Sequence, residues 1–239
     1  MGVTSPQDGQ GAPVGRRVFL SLVALGAAGV AAGSPLSRAL GALQRSVAAH
    51  DPTGLSALIP GGGWRYFTVT GGFPAAPAGL QISVTGLVRH PLSLAPADLA
   101  TRTRTTLVRD FQCVTGWRVP KVRWEGVLLA DLLDEAGVLP GAQAVEFRSF
   151  DGTYTESLTL EQARRRDVLV ADRFQHGPVP REHGGPVRMV VAPMYGYKSC
   201  KWLQEIRVTP SLTTGYWENF GYDQNGWVGR SNGRNDAPT

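Results

Sequence analysis

Cys113 stands within Asp110-Phe111-Gln112-Cys113-Val114-Thr115-Gly116-Trp117, a turn-prone stretch, and two groups of anion-binding side chains follow it downstream. These are His183-Gly184-Gly185-Pro186-Val187-Arg188 and Lys198-Ser199-Cys200-Lys201-Trp202-Leu203. A thiolate is a soft metal ligand. Arginine holds phosphate oxygens with a planar fork of donors, and lysine holds them as a compact charge. The combination suits a sulfur ligand to a metal beside a phosphorylated cofactor. Arg109 and Arg118 flank the thiol and are expected to favour its ionised form. One cysteine cannot build a zinc site, which takes three or four protein ligands. The histidines, His50, His90, His176 and His183, show no metal-ligand spacing. A metal held at Cys113 would therefore draw most of its ligands from the cofactor. Two other readings of Cys113 stand beside this one: a disulfide with Cys200, the only other cysteine, and a small buried apolar side chain.

The elements that must position these groups are legible in part. Strands are predicted over 66–69 and 80–84, rich in β-branched and aromatic residues and bounded by Gly and Pro. A short helix is predicted over 96–100, with proline in its first turn. The alternation of 104–112 predicts a strand that delivers Cys113 into a turn. Val127, Leu128, Leu132 and Leu133 predict a helix over 126–136 that stops at Gly137. Asp151-Gly152 predicts a hairpin between strands at 144–150 and 153–158. A helix over 161–166, strands over 187–191 and 205–208, and an aromatic, Gly- and Asn-rich wrapping tail after Pro210 complete the pattern. Strands and helices interleave without a βαβ period, which points to the α+β class with mixed β-sheets and a barrel-like core.

The chain has 239 residues, 42% apolar and 18% charged, enough for a sizeable core and unlike a disordered chain. The net charge of +5 comes without any dense basic run interleaved with aromatics, which argues against a nucleic-acid partner. Near the N-terminus, Arg16-Arg17 directly precede an apolar run from Val18 to Gly33. That pattern predicts a twin-arginine export signal, read by the export machinery and used for proteins folded with their cofactor before transport. The run is either cut after Ala31-Ala32-Gly33 or kept as a signal anchor in the cell membrane. Small and apolar residues over 36–58 have helical spacing, and Pro60-Gly61-Gly62-Gly63 ends them. Residues 1–63 are thus expected to be signal plus linker, and 64–239 the catalytic body.

From about Trp64 to about Tyr222 the chain resembles the catalytic domain of the sulfite oxidase family of molybdopterin enzymes. The resemblance is carried by the Phe-Gln-Cys run ending at Cys113, by Trp124-Glu125-Gly126-Val127, by Asp151-Gly152, by the His183 to Arg188 stretch and by Tyr195-Gly196-Tyr197-Lys198-Ser199-Cys200-Lys201-Trp202-Leu203. It implies a sulfite-oxidase-type molybdopterin-binding fold. It implies that Cys113 ligates molybdenum beside the dithiolene sulfurs of the pterin, and that His183, Arg188 and Lys201 hold the cofactor. Ser199 and the backbone at Cys200 would line the same pocket. Arg65, Thr68 and Val69 match or lie close to cofactor contacts, and Ser149 matches another. Tyr222 falls where these enzymes place a tyrosine beside the metal, with Trp217 upstream. The implied activity is oxygen-atom transfer on a small substrate, with electrons exchanged with a separate membrane haem protein or cytochrome.

The departures are equally specific. Val69 stands where sulfite oxidases carry a substrate-binding arginine. Too little chain follows Leu203 for the family's immunoglobulin-like dimerisation domain, and no Cys-x-x-Cys-His motif for haem is present. Reduction of methionine sulfoxide in exported proteins is the alternative activity. A cofactor-free binding module on the same fold is the alternative of another class.

Overall fold

The computed structural model describes residues 64–70 and 72–239. The twin-arginine segment, the helix expected over 36–58 and the linker lie outside the described residues. Two sheets form the body. The first has the order β2-β1-β10-β5-β6 and contains Ile82–Gly86 (β1), Leu92–Leu94 (β2), Ala144–Ser149 (β5), Thr155–Thr159 (β6) and Leu203–Thr209 (β10). Its one parallel pair is β1 with β10, and the other pairs are antiparallel. The second runs through Thr105–Gln112 (β3), Arg118–Leu128 (β4), Val168–Phe174 (β7) and Gly177–Pro178 (β8), with Arg188–Val191 (β9) also pairing β7. The first sheet is mixed, as expected, and the second is antiparallel in every pair. The barrel-like core is corrected: each sheet is open-ended in its strand order, and among the described residues no sheet closes on itself.

Strand β7 joins two cores because successive side chains point to opposite faces. Val168 and Val170 enter a cluster with Ile82, Phe147, Leu158 and Ile206, while Leu169 and Ala171 enter another with Val122 and Trp124. The helix Leu129–Ala136 (α1) closes the first cluster with Leu129, Leu132, Leu133 and Ala136, the i, i+3, i+4, i+7 stripe of an amphipathic helix. Gly137, at φ +70°, ends it by donating its N–H to the carbonyls of Leu133 and Asp134.

Two irregularities keep the aromatic face of the second sheet continuous. Across Glu125/Gly126 the β7 partner steps from Arg173 to Ala171, leaving Asp172 unmatched. Arg104 takes its carboxylate at 2.6 Å. The extra residue restores Phe174 to the face of Leu169 and Ala171, where it packs on Trp124. Between Arg109 and Phe111 the β4 partner steps from Val122 to Val119, so both valines face the same cluster.

Several expectations change. No strand forms at 66–69, because no neighbouring strand pairs with it; Tyr66 and Phe67 are instead exposed. The helix predicted from 126 starts at Leu129, since Gly126, Val127 and Leu128 still pair with β7. A Cβ on Gly126 would come within 2.1 Å of the Val170 carbonyl oxygen, so the close strand contact requires glycine there. The helix expected over 161–166 is the single turn Leu160–Ala163 (α2), started by a capping box of Thr159 and Gln162. The sequence predicts no strand at 118–125 or 168–174, yet β4 and β7 run there as the spine of the second sheet. After Thr209 the chain forms no further strand, apart from a bridge of Met194 with Trp227, and wraps the body as a tail.

Candidate active site

Strands β3 and β4 are joined by a tight loop with Cys113 at its start. The Cys113 N–H donates to the Trp117 carbonyl at 2.9 Å, and the Gly116 N–H donates to the Cys113 carbonyl at 3.0 Å. Gly116, at φ +103°, supplies the left-handed turn. The Cys113 sulfur lies 3.2 Å from the Thr115 hydroxyl. Both cysteines are free thiols, so the disulfide reading is corrected. Arg118 is ion-paired with Asp110 at 2.8 Å and donates to the carbonyls of Ala237 and Pro238, while Arg109 is exposed.

The loop opens on a pocket of about 250 Å³. Cys113, Thr115 and Trp117 form one wall. Arg65, Thr68 and Val69 come from the N-terminal segment, His183 and Arg188 from either side of Gly184-Gly185, and Ser199 and Lys201 from the stretch before β10. Tyr222 and Trp217 come from the tail. The structure therefore brings nine of the residues singled out in the sequence, Trp217 apart, to one cavity.

Ser149 and Cys200 do not line it. The Ser149 hydroxyl is used within its own hairpin, by Asp151 and the Tyr154 backbone. The Cys200 sulfur is fully buried in the first core cluster, because alternation along the chain sends it away from Ser199 and Lys201. Burial and the Glu156 carboxylate hold the Cys200 thiol well above its usual range.

Arg188 carries the strongest charge signal. It is 3% exposed and forms no ion pair among the described residues. Its guanidinium donates to the carbonyls of His183, Met189 and Ser199 and lies 5.0 Å from the Trp124 ring. Burial pulls its pKa down to about 10, which leaves it cationic at neutral pH. Lys201 donates to the Phe67 carbonyl at 2.5 Å and stacks 4.3 Å from the Trp202 ring. Burial, with Arg188 nearby, lowers its pKa to about 8. A buried cation without a carboxylate partner is costly unless an anion joins it.

His183 is neutral: burial, then Arg188 and Lys201, lower its pKa to about 4. Its ring stacks on Phe174 at 4.2 Å, meets Trp64 edge-on at 4.5 Å, and places Nε2 3.3 Å from the Tyr66 hydroxyl. Glycine shapes the cavity at two close approaches. A Cβ on Gly196 would come within 2.3 Å of the Phe111 ring, and one on Gly184, at φ +98°, within 2.6 Å of the Lys201 side chain. Sequence reasoning missed Tyr154, Glu182 and Phe111 as walls. The only sequence signal for these was proximity to the recognised motifs. Lys198, counted in the sequence among the anion-binding groups, is corrected: it is buried off the pocket with its ammonium enclosed by Glu156 and Glu218.

Comparison with known proteins gives the same assignment by an independent route. The family model described as oxidoreductase molybdopterin binding domain matches residues 70–217. An uncharacterized oxidoreductase, YuiH, of Bacillus subtilis (strain 168) is 35% identical over 146 residues, spanning 61% of this chain and 73% of that protein. Sulfite oxidase of Arabidopsis thaliana is 30% identical over 176 residues, spanning 59% of this chain and 45% of that protein. The protein-methionine-sulfoxide reductase catalytic subunit MsrP of Gluconobacter oxydans (strain 621H) is 28% identical over 182 residues, spanning 68% of this chain and 57% of that protein. The chain thus spans about half the length of the latter two. Among solved structures, sulfane dehydrogenase SoxCD from Paracoccus pantotrophus matches with a TM-score of 0.55 at 23% identity, over 62% of this chain and 42% of that one, and shares the fold. With a thiol, unpaired buried cations and a family model converging on one stretch, the chain belongs to the molybdopterin-binding oxidoreductases of the sulfite oxidase family.

Proposed function

We propose that this pocket performs oxygen-atom transfer on a small substrate, with Cys113 as the protein ligand to molybdenum. The observation that carries the reading is the joint lining of one cavity by Cys113, by the buried Arg188 and by the half-buried Lys201, two cations without a carboxylate partner among the described residues. That donor set fits a molybdenum-molybdopterin cofactor: a thiolate for the metal, and a guanidinium and an ammonium for the terminal phosphate. When bound, the cofactor supplies the two-electron redox change and the exchangeable oxygen. Arg188, Lys201 and Arg65 hold the phosphate end. His183, neutral and stacked on Phe174, offers a ring nitrogen for a hydrogen bond instead of a charge. Trp117 and Trp217 restrict water at the thiol, and the Tyr222 hydroxyl orients the substrate oxygen.

Replacing Cys113 with Ala or Ser tests the ligand role. Both variants should fold and lose turnover by at least about 100-fold, the scale of removing a group that acts on the transition state. Their Mo(V) paramagnetic resonance should lose the signature of the cysteine sulfur. An unchanged spectrum with full activity would overturn the assignment.

A second reading, reduction of a neutral sulfoxide such as methionine sulfoxide, is favoured by the walls beside the thiol. Phe111, Val114, Trp117 and Trp217 bring no charge there. Val69 adds none at the position where sulfite oxidases carry an arginine. Turnover of methionine sulfoxide against sulfite, with one electron carrier common to both, separates the two. A cofactor-free binding module would instead contain no molybdenum after native maturation.

Residues 1–63 are read as a twin-arginine signal that takes the folded chain out of the cytoplasm, cut or retained as an anchor. Electrons then pass through a separate membrane haem protein or cytochrome. No helix among the described residues is long and apolar enough to cross a membrane.

A further inference from the structure

Lys198 is the other buried cation of this region, and the pocket does not use it. Its side chain is 0% exposed. The ammonium donates to Glu156 on β6, to Glu218 at 2.7 Å and to the Gln224 carbonyl at 2.9 Å. Glu218 directly follows Trp217, and Gln224 comes two residues after Tyr222. One ammonium therefore holds both ends of the short turn that carries both tail aromatics of the pocket.

The turn itself is compact: the N–H groups of Phe220 and Tyr222 both donate to the Trp217 carbonyl. Its neighbour Tyr197 reinforces the tie, donating from its hydroxyl to the Asp223 carbonyl at 2.5 Å and meeting the Tyr222 ring edge-on at 5.3 Å. The tail backbone closes tightly over the charges. A Cβ on Gly226 would come within 2.6 Å of the Lys198 side chain, and one on Gly215 within 2.2 Å of the Glu218 carboxylate. The second oxygens of Glu156 and Glu218 meet no protein donor among the described residues, so Lys198 is the cation that both carboxylates share.

We propose that Lys198, gripped by Glu156 and Glu218, is a positioning residue that clasps the 217–224 turn and thereby sets Trp217 and Tyr222 against the pocket. The catalytic consequence rests on the oxygen-atom-transfer reading, while the clasp itself does not. Glu218→Ala removes the charged contact on the tail's side of the clasp, leaving the Gln224 carbonyl there and the Lys198–Glu156 pair in the body. Glu218→Gln keeps an oxygen for the ammonium.

The experiment is hydrogen exchange on the full, cofactor-loaded chain, paired with steady-state kinetics on methionine sulfoxide and sulfite. In Glu218→Ala, amides 217–224 should exchange at least about tenfold faster while β5 and β6 keep their protection, since a local opening spares the global core. KM for the turned-over substrate should rise several-fold, molybdenum content should stay at the parent level, and Glu218→Gln should restore the protection. Unchanged exchange over 217–224 in Glu218→Ala would overturn the clasp, as would a loss of protection spread evenly over the molecule. Faster tail exchange with KM and kcat both unchanged would overturn its role in positioning the pocket. If the parent enzyme turns over neither substrate, the oxygen-transfer reading fails while the exchange result still decides the clasp.

Discussion

Lys201 has a pKa lowered to about 8 by burial and by Arg188, so its charge is conditional. Below that pH Lys201 adds its charge to that of Arg188 for an anion in the pocket, and above it Lys201 no longer does. Binding of pyrophosphate, a probe for the cofactor's phosphate end, should therefore weaken as pH rises through about 8 in cofactor-free protein. The slope should vanish in Lys201→Met; calorimetric titration reads both. At this scale the sequence was informative wherever residue type alone restricts the chemistry. Cys113, Arg188 and Lys201 reach the pocket because a thiol and unpaired cations have few other uses at such positions. Ser149 and the Cys200 side chain lie off the pocket for ordinary structural reasons. A serine beside Asp151-Gly152 is consumed by its own turn, and strand-like alternation turns every second side chain away. Lys198 was grouped with the anion-binding residues because its true partners are remote in sequence: Glu156 lies on β6 and Glu218 in the tail.

Among the elements, β4 and β7 do most to build the site, and the sequence predicts neither. Pro120, Lys121 and Arg123 make the start of β4 look like a loop, and the bulges that accommodate such residues leave no simple period. The aromatic face they create ties the second core to the pocket. Trp124, 2% exposed, packs against Phe174 and Trp64 and beneath Arg188. Trp124→Ala should cost about 3–5 kcal/mol in urea unfolding, the usual range for removing a buried Trp. Val108→Thr, on the exposed side of β3, should stay within about 0.5 kcal/mol. The α1 stripe and the Asp151-Gly152 hairpin, by contrast, were visible in the sequence because their signals are local: an i, i+3, i+4 repeat and a turn dipeptide.

For the molecule as a whole, the first sheet, the stretch before β10 and the wrapping tail converge on one buried ionisable group. Glu156 faces Lys198, Glu218, Tyr154, Tyr197 and Cys200. Burial, with repulsion from Glu218, outweighs Lys198 and lifts its pKa from 4.5 to about 8. The folded chain thus keeps a proton that the unfolded chain gives up. The resulting stabilisation is complete below about pH 4.5, declines as pH rises, and is gone above about pH 8. Thermal midpoints measured across that window should fall with pH, and Glu156→Gln should flatten the decline; a slope unchanged in the variant would contradict the assignment. The tail that covers this group also ends at the start of β4, just after the Cys113 loop. Arg118, the first residue after the Cys113 loop, is bonded to the carbonyls of Ala237 and Pro238, and the Thr239 hydroxyl donates to Ala192. An affinity tag or reporter fused at Thr239 would consequently emerge at the base of the reactive hairpin and tug on it, whereas a handle inserted at the exposed Gly152 turn would leave that anchorage undisturbed.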